Sequence, residues 1–143
     1  MGSKKVKTSE LFKALLESTY QIKQVLDKHF KSEVISYQQY VLLKVIEERH
    51  PKPLSIKYIK ENMPDKNSDV TRIVDKLVVK NLIFKDKSPV DARSSVASLR
   101  DEAFPLIEKL DKRLNQISKS LKFLTKKDRQ SLFEMISKVN KHF

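Results

Sequence analysis

Apolar residues return every three or four positions along most of the chain, which is the spacing of one face of an α-helix. The pattern predicts a long helix over residues 8–31, a second over 36–49, and two more over 104–121 and from Thr125 onward. Ser36 and Gln39 fit a capping box at the start of the second helix, and Thr125 and Asp128 offer a hydroxyl cap and an acidic N3 at the start of the last. The apolar face of the first is wide for a lone surface helix, so it indicates contact with both its own domain and a partner. An ordinary core helix explains the same periodicity and stays the alternative.

The middle of the chain follows a different pattern. Ser55 is placed to cap a short helix that Pro64 ends, because proline lacks the N–H that a helix interior needs. A second helix follows, and after it two β-prone runs, 82–84 and 95–99, flank a polar loop over residues 85–94. This order predicts a helix-turn-helix with a wing.

The second helix of this stretch has two distinct faces. Its N-cap is predicted at Asp65 or Asn67 and its end near Lys80, where Asn81 suits the left-handed residue that often follows a helix. The inner face has four apolar residues at i, i+3, i+4 and i+7: Val70, Ile73, Val74 and Leu77. The outer face is polar, as a contact surface would be, and carries Lys66, Asn67, Ser68, Thr71, Arg72 and Lys76.

The charge of the chain bounds its partners. Thirty Lys and Arg against 18 Asp and Glu give its 143 residues a formal charge of +12. A chain of this length has room for one domain, and so basic a surface favours a polyanionic partner. Basicity alone does not separate a nucleic acid from a membrane. The basic residues are not gathered on one amphipathic helix, so membrane-surface binding ranks last among the candidate functions.

Residue types that carry enzyme chemistry are scarce. The absence of cysteine excludes disulfides and thiol chemistry, and a single glycine argues against loops that cradle phosphates. His29, His50 and His142 have no carboxylate at the spacing of a metal site or a catalytic triad. We therefore expect no enzyme, no cofactor and no metal. The N-terminus lacks the apolar core of a signal peptide, so we expect a cytoplasmic protein.

Two segments carry a family resemblance: Ser68–Leu77, which reads SDVTRIVDKL, and Asp91–Leu99, which reads DARSSVASL. In these segments and in the order of its predicted elements, the chain resembles the MarR family of bacterial transcription regulators. It departs from the family's pattern at Asn81 and Ala103, where glycine is common, and at Arg100–Glu102. The resemblance implies a mainly α fold with a small β-wing. It implies one domain over residues 1–143, with a winged helix-turn-helix lobe at 36–103 and dimerisation helices at 8–31 and 104–143.

The resemblance also implies the function of a sequence-specific DNA-binding transcription regulator. Such a protein would be a homodimer that places two helices in successive major grooves of a pseudo-palindromic operator, and it would be a ligand-responsive repressor. The candidates for base edges lie at the start of the second helix: Asn67, Ser68, Thr71 and Arg72. The candidates for phosphate contacts are Lys66, Lys76, Lys85 and Lys87.

Arg93 at the predicted wing tip is the candidate for the minor groove. Asp91 or Asp75 could orient its guanidinium through a bidentate pair. A turn salt bridge without any role in DNA binding is the alternative. Asp69 is assigned to the helix rather than to DNA, because an acidic residue favours the positive end of the helix dipole.

Members of the family commonly bind a small aromatic or anionic effector near the junction of the dimer helices and the lobe. Tyr20, Tyr37 and Tyr40, with His29 and Phe30, are candidate walls for such a site, and a core role is the stronger alternative. Two other functions stay open for the whole protein: a winged-helix protein–protein adaptor and a non-specific DNA-binding protein.

Overall fold

The computed structural model describes residues 5–143, and this part of the chain is mainly helical with one small sheet. It divides into two compact units, one that ends at Phe104 and one formed by Pro105–Phe143. The predicted fold class is confirmed. The elements in chain order are α1 Thr8–Phe30, α2 Tyr37–Glu47, β1 Leu54–Ser55, α3 Ile56–Asn62, α4 Val70–Val79, β2 Ile83–Lys87, β3 Ser95–Leu99, α5 Ala103–Ser118, a 3₁₀ helix Lys119–Phe123 and α6 Lys126–His142.

Side-chain caps fix where the helices of the first unit begin. Ser36 accepts the backbone N–H of Gln39, and the Gln39 side chain accepts the N–H of Ser36, so α2 starts at a complete capping box. Ser55 accepts the N–H of Tyr58 at the start of α3. Both caps agree with the sequence, because a hydroxyl that satisfies a free helix N–H favours one starting residue over its neighbours.

The three strands form an antiparallel sheet in the order β1, β3, β2. Ile83 pairs with Leu99 and Lys87 with Ser95, so β2 and β3 make the predicted hairpin. Strand β2 continues through Lys87, and the connecting loop is therefore residues 88–94 rather than 85–94. Strand β1 was not predicted, because its two residues are too few to show an alternating pattern.

A compact core holds the first unit together. Helices α2, α3 and α4 contact one another, and the sheet packs against all three. Burying each large apolar side chain stabilises the unit by about 1.5–3 kcal/mol relative to leaving it exposed. The core includes Leu42, Leu43, Ile46, Ile59, Met63, Val74, Leu77, Ile83 and Leu99.

Helix α4 begins later than the sequence predicted. The predicted N-cap at Asp65 or Asn67 is wrong, because Asp69 is the N-cap and its Oδ1 accepts the backbone N–H of Arg72 at 3.1 Å. Asp65 instead closes a turn, its Oδ1 accepting the N–H of Asn67 at 2.9 Å.

The end of the helix is as predicted: α4 stops at Val79, and Asn81 has a φ of 56°. Asparagine tolerates this left-handed conformation better than most residues.

The second unit consists of two helices and a short link. Helix α5 ends at Ser118, and Leu121, predicted in the same helix, lies in the 3₁₀ segment that follows. Thr125 caps α6 through the N–H of Asp128, and the Thr125 hydroxyl donates to the Asp128 carboxylate at 2.6 Å. These hydrogen bonds stabilise the ionised carboxylate and hold the pKa of Asp128 below its ordinary value.

Both outer helices carry exposed apolar side chains. Phe30 is buried at the end of α1, whereas the apolar residues before it face solvent in the single chain, among them Leu11, Phe12, Leu16, Tyr20, Ile22 and Val25. Helix α6 exposes Leu132, Phe133, Met135, Ile136 and Val139. Many exposed apolar side chains on one helix are typical of a protein–protein contact site.

Candidate nucleic-acid interface

The exposed face of α4 combines hydrogen-bonding and basic side chains. Thr71, Arg72 and Lys76 are exposed, while the intervening inner residues of the same helix are buried in the core. The Asp69 carboxylate accepts the backbone N–H of Arg72, so it serves the helix N-terminus as expected from its charge. The helix thus presents one hydroxyl and two cations outward from a rigid, packed element.

Two predicted base-reading residues precede the helix. Asn67 is exposed in the turn before α4, and Ser68 is only 7% exposed. The Ser68 hydroxyl accepts a hydrogen bond from Nε2 of Gln38 on α2, over 2.8 Å. Their expected position in the first turns of the helix is therefore wrong, because the cap at Asp69 delays the start of the helix. Ser68 is turned towards α2 in this chain.

The wing is an ordered hairpin with a tight tip. The N–H of Ser88 donates to the carbonyl of Ser94 at 2.9 Å, which closes the loop above the strands. Asp91 Oδ1 accepts the backbone N–H of Arg93 at 3.0 Å, an Asx turn that fixes the tip. The Arg93 side chain is exposed.

The predicted pairing of the Arg93 guanidinium does not form in the described chain. Asp75 binds Lys85 instead, with its Oδ1 2.7 Å from Nζ, and Asp91 engages the backbone of Arg93. Within residues 5–143 the Arg93 side chain has no ion pair. Its guanidinium therefore keeps all its donors available at the tip of the wing.

The four lysines assigned to phosphates fall into two groups. Lys76 on α4 and Lys87 at the end of β2 are exposed and form no ion pair within the described residues. Lys66 donates to the carbonyl of Glu61, and Lys85 pairs with Asp75. The first two are available for an anionic partner, whereas the other two would have to exchange an internal contact for it.

Two contacts in this region escaped the sequence analysis. Gln38 reaches Ser68 from thirty positions away along the chain, and no short-range pattern signals such a pair. Arg100 lies over the ring of Phe84, with its guanidinium carbon 4.2 Å from the ring centroid, and so braces the base of the wing. In the sequence, Arg100 stands out only as a departure from a family pattern.

The predicted aromatic site separates into two parts. The rings of Phe30, Tyr37 and Tyr40 pack together, with centroids 5.5–6.1 Å apart, and Tyr40 is buried. Tyr20 is 64% exposed and stands apart from this cluster. Tyr37 also lines a cavity of about 490 Å³ whose walls include Ile22, Lys23, Leu26, Gln38, Val41 and Met63.

Metal-site clusters and membrane-spanning helices are both absent from the described residues. Between residues 5 and 143 no group of three or more His, Cys, Asp or Glu residues could hold a metal ion. No helix in the same part of the chain combines the length and the apolar character needed to cross a membrane.

A short helix, a turn, a second helix with a polar outer face and a β-hairpin together define a winged helix-turn-helix. Residues 35–95 match the family model described as the MarR family. The resemblance seen in the sequence is confirmed over this range. No curated protein matches the chain.

Solved structures extend the similarity to nearly the whole chain. A MarR-like transcription regulator from Bacillus cereus ATCC 10987 is 21% identical, covers 94% of this chain and 96% of its own, and superposes with a TM-score of 0.83. BpsR of Bordetella bronchiseptica, whose DNA binding is regulated by 6-hydroxynicotinic acid, is 18% identical over 96% and 98%, with a TM-score of 0.80. MepR of S. aureus, in its complex with DNA, is 17% identical, covers 97% of this chain and 100% of its own, and superposes with a TM-score of 0.79. These likenesses establish the fold.

Proposed function

We propose that this protein is a sequence-specific DNA-binding transcription regulator. The observation that carries the proposal is the outer face of α4, where Thr71, Arg72 and Lys76 stand exposed on a helix whose opposite face is locked into the core. A rigid helix with donors on its free face fits the major groove, where base edges differ in their hydrogen-bonding pattern. MepR, a protein of the same fold, forms a complex with DNA, which supports DNA as the partner here.

Each exposed side chain has a distinct role in this proposal. Arg72 and Thr71 contact base edges, and Asn67 reaches the same groove from the turn before the helix. Lys76 and Lys87 contact phosphates, which positions the protein without reading sequence. Lys66 and Lys85 join them after giving up their internal contacts. Arg93 enters the minor groove with Asp91 holding the wing tip, because a narrow minor groove attracts a guanidinium.

The protein acts as a homodimer in this proposal. The exposed apolar residues of α1 and of α6 give each helix a face that water does not favour, and a second copy of the chain would cover both. Two copies would place two α4 helices about one turn of DNA apart, so the operator would be a pseudo-palindrome. The outcome of binding would be repression by occlusion.

An effector site is proposed in the 490 Å³ cavity. Its walls combine apolar side chains with the phenol of Tyr37, which suits the ring of a small aromatic molecule. The charged groups of the lining are the ammonium of Lys23 and the carboxylates of Asp27 and Asp65, so an acidic group on the effector would pair with Lys23. Of the three predicted tyrosines only Tyr37 lines this cavity; Tyr40 belongs to the buried cluster and Tyr20 is exposed on α1. The regulation of BpsR by 6-hydroxynicotinic acid supports a ligand of this class.

The direct test is selection of bound fragments from a random DNA duplex pool at a stated salt concentration. The proposal predicts that the recovered fragments share a palindrome whose half-sites are about one helical turn apart. Fragments without a shared sequence would reduce the protein to a non-specific DNA binder, and no recovered DNA would favour the protein–protein adaptor. Stating the salt matters because phosphate contacts make the affinity steeply salt-dependent.

A further inference from the structure

The segment that leads into the first turn of α2 forms hydrogen bonds at both ends of α4. At the start of α4, Nε2 of Gln38 donates to the hydroxyl of Ser68, the residue before the N-cap, over 2.8 Å. At its end, Nζ of Lys80 donates to the carbonyl of Val34 over 2.6 Å and to Oε1 of Gln39 over 3.3 Å. We call residues 34–39 the clamp segment.

The contact at the start of α4 involves a buried hydroxyl. Ser68 is 7% exposed, and its Oγ accepts the amide of Gln38. The same residue's carbonyl accepts the N–H of Val70, the first residue of α4, at 3.1 Å. A buried polar atom that loses its partner is costly, so the Gln38 amide strongly favours one position of this turn. The position of this turn sets where α4 begins.

The contact at the end of α4 joins two helix termini through one oxygen. Gln39 Oε1 accepts the N–H of Ser36 at 3.0 Å in the capping box of α2 and also accepts Lys80. Lys80 is the C-cap residue of α4, where a cation also complements the negative end of the helix dipole. The start of α2 and the end of α4 are therefore fixed to each other.

A groove adjoins the contact at the end of α4. It has a volume of about 860 Å³ and runs along this side of α4, with Val34 and Gln39 among its walls on one side and Arg72, Lys76 and Lys80 on the other. Buried apolar packing resists separation of α4 from α2, but it constrains sliding and rotation of a helix less than directional hydrogen bonds do. The two polar contacts supply that directional restraint.

We propose that Gln38 and Lys80 are positioning residues for the DNA-reading helix. They set the angle and axial position at which α4 presents Thr71 and Arg72, without touching DNA themselves. The inference rests on the proposed function for its effect on DNA, and on the contacts alone for its effect on α4.

The first measurement is amide hydrogen exchange of α4, which needs no DNA. Gln38→Ala is expected to raise exchange roughly fivefold at the Arg72 and Ile73 amides, because fixation of the preceding turn is lost. Lys80→Met, which keeps the length of the side chain and removes the donor, is expected to do the same at the Lys80 and Asn81 amides. Unchanged exchange in both variants would overturn the clamp. Gln116→Ala and Lys122→Met, exposed polar residues of the second unit, are the matched controls.

The second measurement compares affinity for a selected duplex and for a scrambled duplex at one salt concentration. Gln38→Ala is expected to lower affinity for the selected duplex about fivefold and to change affinity for the scrambled duplex by no more than about twofold. The position of α4 affects its contacts with base edges, whereas electrostatic attraction to phosphates does not depend on sequence. Lys80→Arg should restore what Lys80→Met loses. Ser68→Ala combined with Gln38→Ala should be no worse than either alone, since both remove one contact.

The outcomes separate the two proposals. If the wild-type protein binds both duplexes equally while the variants still raise amide exchange in α4, the proposed function fails and the clamp stands. If wild type discriminates and the variants lower both affinities equally, the clamp does not set the reading position and this inference is wrong. Additive losses of affinity in the variant that combines Ser68→Ala with Gln38→Ala would also contradict it.

Discussion

Lys85 on β2 and Asp75 on α4 form an ion pair, with Nζ 2.7 Å from Oδ1, that joins the wing to the helix beside it. Both side chains are partly exposed, so the pair contributes little to stability, under about 1 kcal/mol by comparison with other surface pairs. Its larger effect is on charge. While the pair is formed, Asp75 offsets one of the cations that the proposed function assigns to DNA phosphates.

Replacing Asp75 therefore tests how that cation is used. Asp75→Asn keeps the shape of the side chain and releases Lys85, which becomes available to a phosphate. We expect tighter binding to any duplex at a fixed salt concentration, because Lys85 in the variant no longer has to leave Asp75 before it contacts a phosphate. Asp86→Asn removes the same charge from an exposed position of β2 without breaking the pair. Equal affinities of the two variants would show that Lys85 makes no phosphate contact.

The two arginines on the proposed interface should behave differently from its lysines. Arg72→Ala is expected to weaken binding to a selected duplex by about 1–3 kcal/mol and to relax the sequence preference at one position of each half-site. Arg93→Ala should lose affinity mainly where the minor groove beside the half-site is narrow. Titrations against duplexes substituted one position at a time measure both effects.

A lysine of the proposed interface and an arginine of the second unit serve as controls for that experiment. Lys76→Ala should weaken all duplexes alike and reduce the salt slope by roughly 0.9. Arg129 lies on α6, where its Nη1 donates to the carbonyl of Leu124, and its replacement by alanine should leave the sequence preference unchanged. Unaltered affinity in both Arg72→Ala and Arg93→Ala would contradict the proposed function.

Asn81 gives a prediction about stability that does not involve DNA. Its φ of 56° lies in the left-handed region, which a residue with a Cβ enters at a cost. Asn81→Ala should lower the free energy of unfolding by about 1 kcal/mol, because alanine lacks the side-chain polarity that eases this conformation. Asn81→Gly should stay within about 0.5 kcal/mol of wild type, since glycine adopts it freely. Chemical denaturation of the three proteins measures the difference.

The start of α6 has a predictable dependence on pH. The Thr125 hydroxyl and N–H both bind the Asp128 carboxylate, so its pKa is below the ordinary 3.8. A carboxyl with a lowered pKa stabilises the folded state above its unfolded pKa, and that contribution disappears as the pH falls through the folded value. Thr125→Val removes the hydroxyl, and the pKa of Asp128 should return towards 3.8 in an NMR titration. Ser131→Ala, on the same helix, should not change it.

The proposed dimer can be tested on α6. Leu132→Glu places a charge on the exposed apolar face, and Ser131→Glu places the same charge on a neighbouring exposed polar position. We expect the first variant to shift the mass measured by light scattering towards the monomer, because a charge buried in an interface without a partner is strongly unfavourable. The second variant should keep the wild-type mass. A monomeric wild type would contradict the homodimer outright.

Local chemistry explains which parts of the fold the sequence predicted. The capping boxes at Ser36 and Thr125 and the left-handed Asn81 were all anticipated, because each depends on residues a few positions apart. The inner face of α4 followed from its spacing. Such features need no knowledge of what packs against them.

What the sequence missed depends on contacts between distant segments. The β1 strand exists because two residues pair with β3, and the preference of Ser68 for burial exists because Gln38 reaches it from α2. Residues 65–69 contain three side chains of types that cap helices: Asp65, Asn67 and Asp69. Local propensity does not rank one of them above the others. The tertiary position of Ser68 decided in favour of Asp69.

If α4 reads DNA as proposed, its late start limits how much sequence one protomer recognises. With the helix beginning at Val70 and Ser68 facing inward, the side chains that can reach base edges occupy little more than one helical turn. A reader of that width recognises a short half-site that recurs by chance throughout a genome. The distance and orientation between two half-sites would then supply most of the specificity. A spacer lengthened by half a turn of DNA should abolish recognition although every base of both half-sites is unchanged, because the second half-site would face away from the second protomer.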